Sequence, residues 1–189
     1  MLTFSVPINM KKIIFLFFLA CFACSVNTSK KVEIEQLRFN YTDDAYIFFR
    51  NMRQSQYDLE VMDEGGWRIY RHEDRLTDTS DFYFNISLVV NWRVNRVYPI
   101  IEMTKSMKKD GFKVFWKAIE NEGSGQITME GNKRRDEMIF STKLYNKMVD
   151  EVELYVSYKN KKLPLFANSD QKEAFRISLY DFYRMTGLL

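Results

Sequence analysis

The stretch Phe82-Tyr83-Phe84-Asn85-Ile86-Ser87-Leu88-Val89-Val90-Asn91-Trp92-Arg93-Val94 decides the fold class. From Phe82 to Val94 every second residue is apolar, while Asn85, Ser87, Asn91 and Arg93 fall between them. Successive side chains of a strand point to opposite faces, so a period of two predicts a half-buried strand rather than a helix. Outward from it the pattern recurs. Tyr57, Leu59 and Val61 alternate with Asp58 and Glu60, Asp63-Glu64-Gly65-Gly66 intervenes, and Trp67 and Ile69 follow, which is a hairpin signal. A second hairpin runs from Phe112–Lys117 through Gly123-Ser124-Gly125 to Gln126–Met129. Val32–Tyr41, Met138–Leu144 and Val152–Tyr158 read as further strands. The expected fold is mainly β: an antiparallel β-sandwich of about seven or eight strands.

The chain's end breaks this pattern. Phe175, Leu179 and Phe182 recur at helical spacing, Asn168 or Ser169 stands in the capping position, and Gly187 stands in the stop position, so a C-terminal α-helix is predicted. Asp43–Met52 fits either a short helix capped by Asp43 or a strand.

The chain has 189 residues, of which 46% are hydrophobic, with 28 basic and 25 acidic residues. That excludes a disordered chain and fits a single domain. The N-terminal stretch is different. Residues 1–23 include Lys11 and Lys12 and no acidic residue, so the remainder carries 26 basic against 25 acidic groups, close to neutral. Lys11-Lys12 followed by Ile13–Ala20 has the basic and apolar parts of a secretory signal, with translation read as starting at Met10. Its apolar run, Ile13–Ala23, is far short of the roughly 20 residues a membrane-spanning helix requires. Three parts are therefore expected: a signal over 1–23, a tether over 24–31 and one domain over 32–189.

Candidate chemistry is sparse. His72 is the only histidine, and both cysteines, Cys21 and Cys24, lie at the end of the signal. Thiolate metal sites and Cys-His catalysis are thereby excluded from the domain. His72, flanked by charges in Arg71-His72-Glu73-Asp74, reads as a solvated loop residue. Asp58 with Glu60, or Glu102 near Trp92, are the carboxylates that glycosidase chemistry would need, but Asp58 and Glu60 read as a solvated strand face. Asp74, Asp78 and Asp81 lack the spacing of a calcium loop. No catalytic residue, metal or cofactor is assigned.

Two surface features remain. Tyr41, Tyr46, Tyr70, Tyr83 and Tyr98 fall out of phase with the apolar face and are candidates for a protein-binding surface. Basic clusters at Lys105, Lys108 and Lys109, at Lys133, Arg134 and Arg135, and at Lys159, Lys161 and Lys162 fall between expected strands. If gathered, they would meet anionic headgroups, cell-wall carboxylates or an acidic protein. A domain so nearly neutral is not expected to bind nucleic acid.

The ending Phe18-Leu19-Ala20-Cys21-Phe22-Ala23-Cys24-Ser25 resembles the lipobox of bacterial lipoproteins, in which a cysteine becomes the acylated first residue. Cys24, after Ala23 and before the polar stretch, is the expected attachment point, with Cys21 the alternative. A plain signal peptide of a secreted glycoprotein is the competing reading, since Asn27-Thr28-Ser29, Asn40-Tyr41-Thr42 and Asn85-Ile86-Ser87 fit the glycosylation triplet, although a domain without cysteine argues against it. The resemblance implies anchoring by acyl chains. Ser25 in place of the retention aspartate implies the outer membrane, and a tether without an acidic run implies the periplasmic side. Signal, tether, sandwich and terminal helix together are similar in architecture to small lipoproteins of secretion machines such as type VI systems. The expected function is a non-enzymatic adaptor with a protein partner in the envelope; the alternative is a ligand-binding lipoprotein holding glycan or lipid on an aromatic sheet face.

Overall fold

Phe84, Ile86, Leu88 and Val90 are almost completely buried along one face of a strand, as their alternation requires. The computed structural model describes residues 30–119 and 123–189; the signal, Cys21, Cys24 and most of the tether lie outside the described residues. Among the described residues, eight strands form two antiparallel sheets. The first is a meander of β1 (Tyr57–Met62), β2 (Trp67–His72), β3 (Phe84–Asn91) and β4 (Arg96–Met103), paired in that order. The second contains β5 (Lys113–Lys117), β6 (Ser124–Thr128), β7 (Glu153–Tyr158) and β8 (Lys161–Pro164), in the order β6-β5-β7-β8. Three helices accompany them: α1 (Asp43–Met52), α2 (Arg134–Val149) and the C-terminal α3 (Ser169–Met185). The mainly β architecture of two antiparallel sheets with a C-terminal helix is thus as the alternation predicts, and α3 is capped by Asn168, whose Oδ1 accepts from the Gln171 N–H at 2.8 Å.

Three local readings are corrected, and the open one at Asp43–Met52 is settled. Met138–Leu144 is not a strand but lies within α2, whose buried residues Glu137, Met138, Phe140, Ser141, Thr142, Leu144, Tyr145 and Met148 ring most of the helix. A helix buried nearly all round loses its 3.6-residue stripe, so a fragment of it passes for alternation. Asp43–Met52 is a helix, and its cap is Thr42, whose Oγ1 accepts from the Ala45 N–H. The strand starting at Phe84 ends at Asn91, where the side chain accepts from the Arg93 N–H and Asn95 turns the chain at a positive φ of 50° into β4. Val32–Tyr41 forms a single 3₁₀ turn at Ile34–Gln36 and then an irregular segment beside β4.

Phe84 is where the layers meet. Its ring lies 5.6 Å from Phe112 at the entry to β5, 6.5 Å from Phe140 of α2 and 5.4 Å from Phe175 of α3. In the second sheet, Trp116 faces Gly125 so closely that a Cβ there would fall 2.9 Å from the indole.

The outer edge of β4 would otherwise present unpaired amides, a template for aggregation. Three devices close it. The Val97 N–H donates to the Phe39 carbonyl at 2.9 Å, Pro99 has no N–H to offer, and the Ile101 N–H donates to Glu137 Oε2 of α2 at 2.8 Å. Glu137 is buried, and both its oxygens also accept from Lys109 Nζ at 2.9 Å. Removing a buried charge from such a pair strands the groups it served. Glu137→Ala is therefore expected to lower unfolding free energy by about 2–4 kcal/mol in urea titration, and Glu137→Gln, which keeps an acceptor for Ile101, by clearly less.

Candidate functional site

The tyrosines first read as a presented surface mostly turn inward. Tyr41, Tyr46, Tyr70 and Tyr98 are buried and Tyr83 is half-buried. The phase of β2 explains Tyr70: the interior face is Arg68, Tyr70 and His72, and Trp67 and Ile69 occupy the other face. Tyr46 and Tyr70 share a hydroxyl hydrogen bond of 3.1 Å, and Arg68 donates to the Tyr46 hydroxyl at 2.9 Å. Burial raises the pKa of the Tyr41 phenol to about 12 and moves that of Tyr70 further up. Tyr98 is sandwiched by Phe39 at 4.8 Å, with the Arg134 guanidinium 4.4 Å from its ring. These rings are packing residues.

His72 is also corrected: it is buried, not solvated. Its ring meets Tyr57 edge-on at 5.1 Å, its Nδ1 accepts from the Asp74 N–H at 3.2 Å, and Nε2 is buried without a protein partner. The groups around it form a clamp on α3. Asp181, buried on α3, accepts from Arg53 Nε at 3.1 and 3.2 Å and from the Tyr57 hydroxyl at 2.8 Å. Neither His72 nor Asp181 lines any of the surface hollows described below.

The carboxylates considered for catalysis are tied to arginines. Asp58 pairs with Arg75 at 2.6 Å, and Arg71 bridges Glu60 at 2.8 Å and Glu102 at 2.7 Å. Glu102 is not beside Trp92: it faces Asn85 near one end of the first sheet, and Trp92 follows the other end of β3, with its N–H donating to Gly66. Among the described residues no group of three or more His, Cys, Asp or Glu side chains is placed to share a metal ion.

What the fold does gather is positive charge. The β4–β5 loop carries Lys105, Lys108 and Lys109. It is held against the segment before α2 by the Gly111 N–H donating to Met129 and by Asp110 Oδ1 accepting from Gly131 N–H, both at 2.9 Å. On its other side the loop meets the β7–β8 turn. Lys108, Lys113 and Lys159 line one open hollow of about 510 Å³ with Ser106, Asp110, Phe115, Ser157 and Tyr158. Sequence spacing did not single out Lys113, because its place depends on β5 pairing with β7 across the α2 insertion. Lys109 turns inward to Glu137.

The other predicted basic residues are distributed differently. Arg134 stacks over Tyr98 and Trp67, and the Lys133 main chain donates to Asp136 at the start of α2, while Arg135 is exposed. Lys162 stands 3.6 Å over the Tyr155 ring, which in turn stacks on Phe115 at 5.5 Å, and Lys161 pairs with Tyr158 across the hairpin. A second hollow of about 650 Å³, lined by Arg71, Arg75, Tyr83, Glu102, Lys105 and Lys109 among others, has its arginines already paired with carboxylates. The 510 Å³ hollow is therefore the better candidate.

Burial holds the His72 pKa below its ordinary 6.5. An unfolded chain then takes up the proton first, so stability is expected to fall as pH drops through about 6.5. His72→Phe should flatten the dependence of urea midpoint on pH between about 7.5 and 5.5; an unchanged slope would place its origin elsewhere. No known protein family, no curated protein and no solved structure matches this chain.

Proposed function

We propose that the protein is a non-enzymatic, lipid-anchored adaptor of a cell-envelope assembly, held at the outer membrane by acyl chains on Cys24, with Cys21 the alternative, and facing the periplasm. A bacterial lipoprotein carries more than one acyl chain, and two or more give stable anchoring without a spanning segment. Among the described residues no helix is long and apolar enough to cross a membrane. The expected order of signal, tether, domain and terminal helix is similar in architecture to small lipoproteins of secretion machines such as type VI systems.

The observation that carries the adaptor reading is polarity. The first described residues are fastened at the C-terminal end of α2: Lys31 pairs with Asp150 at 2.5 Å, and Asn146 exchanges hydrogen bonds with the Val32 main chain at 2.9 and 2.8 Å. Lys133, Gly131 and the loop bound to it stand at the opposite end of this 16-residue helix. At 1.5 Å per residue that is about 24 Å. In an anchored chain, the attachment of residues 31–32 and the loop bound to Gly131 would thus lie at opposite ends of α2. The ligand-binding alternative is favoured by the aromatic and lysine lining of the 510 Å³ hollow.

Mass spectrometry of the mature N-terminus is expected to find an acylated Cys24, and Cys24→Ser to shift the protein out of the membrane fraction. Acylation of Cys21 would move the anchor three residues; a mature chain without lipid would contradict the reading.

A further inference from the structure

We propose that the hollow between the β4–β5 loop and the β7–β8 turn binds an acidic glycan, with sugar carboxylates paired to lysines and a sugar ring packed beside Phe115. The site's place at the end remote from the tether rests on the anchored reading above; the binding chemistry does not.

Lys108, Lys113 and Lys159 reach the hollow from three separate segments, a loop, a strand start and a hairpin tip, and only Asp110 opposes them there. Asp110 is already engaged, accepting from the Gly131 N–H. The tip is conformationally fixed: Lys159 and Asn160 both take positive φ, 50° and 60°, the geometry of a tight two-residue hairpin turn. Lys159 pairs with Asp81 at 3.3 Å, but both side chains are about two-thirds exposed or more, at 67% and 72%. Such a pair is readily exchanged for a ligand carboxylate.

The remaining lining selects among anions. Phe115 and Tyr158 are half-buried rings beside the lysines, Phe115 stacking on Tyr155 at one side and Tyr158 lying between Phe82 and the Lys159 ammonium 4.8 Å from its ring, and Ser106 and Ser157 supply hydroxyls. Ring faces pack against the C–H faces of a pyranose by dispersion, hydroxyls exchange hydrogen bonds with its hydroxyls, and ammonium groups meet its carboxylate. A neutral glycan would leave the lysines unmatched. A phospholipid would need an enclosed apolar path for its chains, and this hollow is open to solvent.

The test is binding of the full-length protein in detergent to immobilised polygalacturonate, a glycan whose charges are carboxylates on the sugar rings. Chitin oligosaccharide serves as the neutral competitor, and poly-L-glutamate and anionic phospholipid vesicles as the alternative polyanions. Polygalacturonate binding is expected to weaken about tenfold in the Lys108→Ala/Lys113→Ala/Lys159→Ala variant and several-fold in Phe115→Ala. Lys161→Ala, outside the hollow, should bind as the wild type does, and chitin oligosaccharide should not compete. Circular dichroism and the urea midpoint establish that each variant is folded, and Lys113→Arg should retain binding where Lys113→Ala loses it. Undiminished binding by the triple variant overturns the proposal, as does binding confined to vesicles. So does equal binding to poly-L-glutamate that ignores Phe115→Ala, which would assign the patch to an acidic protein. Failure of lipid attachment at Cys24 would leave these results unaltered, so the two readings fail separately.

Discussion

A single buried carboxylate, Glu137, joins the first sheet, the central helix and the loop that carries the basic hollow. One of its oxygens receives the edge amide of Ile101, and both receive the Lys109 ammonium. An edge strand left open invites another chain, and here the edge is closed by a side chain that comes from α2. Because Lys109 sits one residue from Lys108, the same contact fixes the approach of the β4–β5 loop to the second sheet. Sheet edge, helix register and site geometry therefore depend on one triad, an ion pair and a backbone amide. Its worth lies in being fully satisfied, since the carboxylate would be costly to bury alone.

Around that triad the core is built from aromatic rings rather than from two sheet faces pressed directly together. Phe84 gathers Phe112, Phe140 and Phe175, so one residue of the first sheet touches the second sheet's entry strand and both long helices. Apart from Ser141 of α2, whose Oγ is buried without a protein partner, buried polar groups on the helices are satisfied locally. Thr142 donates to the Met138 carbonyl and accepts from the Tyr183 hydroxyl, and Ser178 donates to Ala174, which lets α2 and α3 bury these polar residues without orphaning them. The clamp of Arg53 and Tyr57 on Asp181 fastens α3 to the rim of the first sheet in the same way.

What could be read from the residues follows from this construction. β3 keeps its largest apolar side chains on one face, although Asn85 and Ser87 on the other are also buried, and α3 has one apolar stripe, so Phe84 to Val90 and Phe175 to Phe182 carried clean periods of 2 and 3.6. α2 is packed nearly all round, so its period vanished and a strand was read in its place. β2 was legible as a strand but not in phase. Arg68 and His72 share the interior face with Tyr70, a polar pair that looks external until α1 supplies the Tyr46 hydroxyl to Arg68. His72 misled for the same reason: its ring is buried against Tyr57 even though Asp74 stays beside it, donating its N–H to Nδ1. For the site, the lysine clusters were visible as charge, but their convergence was not. Lys113 joins Lys108 and Lys159 only because β5 pairs with β7 across the intervening β6 and α2. Tether polarity was equally hidden, since it rests on Lys31 and Val32 reaching Asp150 and Asn146, more than a hundred residues away in sequence.

The most direct measurement is native-state amide exchange at Ile101. With Glu137 in place, this edge amide is expected to exchange only through global opening, as slowly as the interior amides of β3. In Glu137→Ala it should exchange much faster, while Leu88 changes only by the loss in global stability. Ile101 unprotected in the wild type, or equally protected in both proteins, would contradict the role assigned to Glu137.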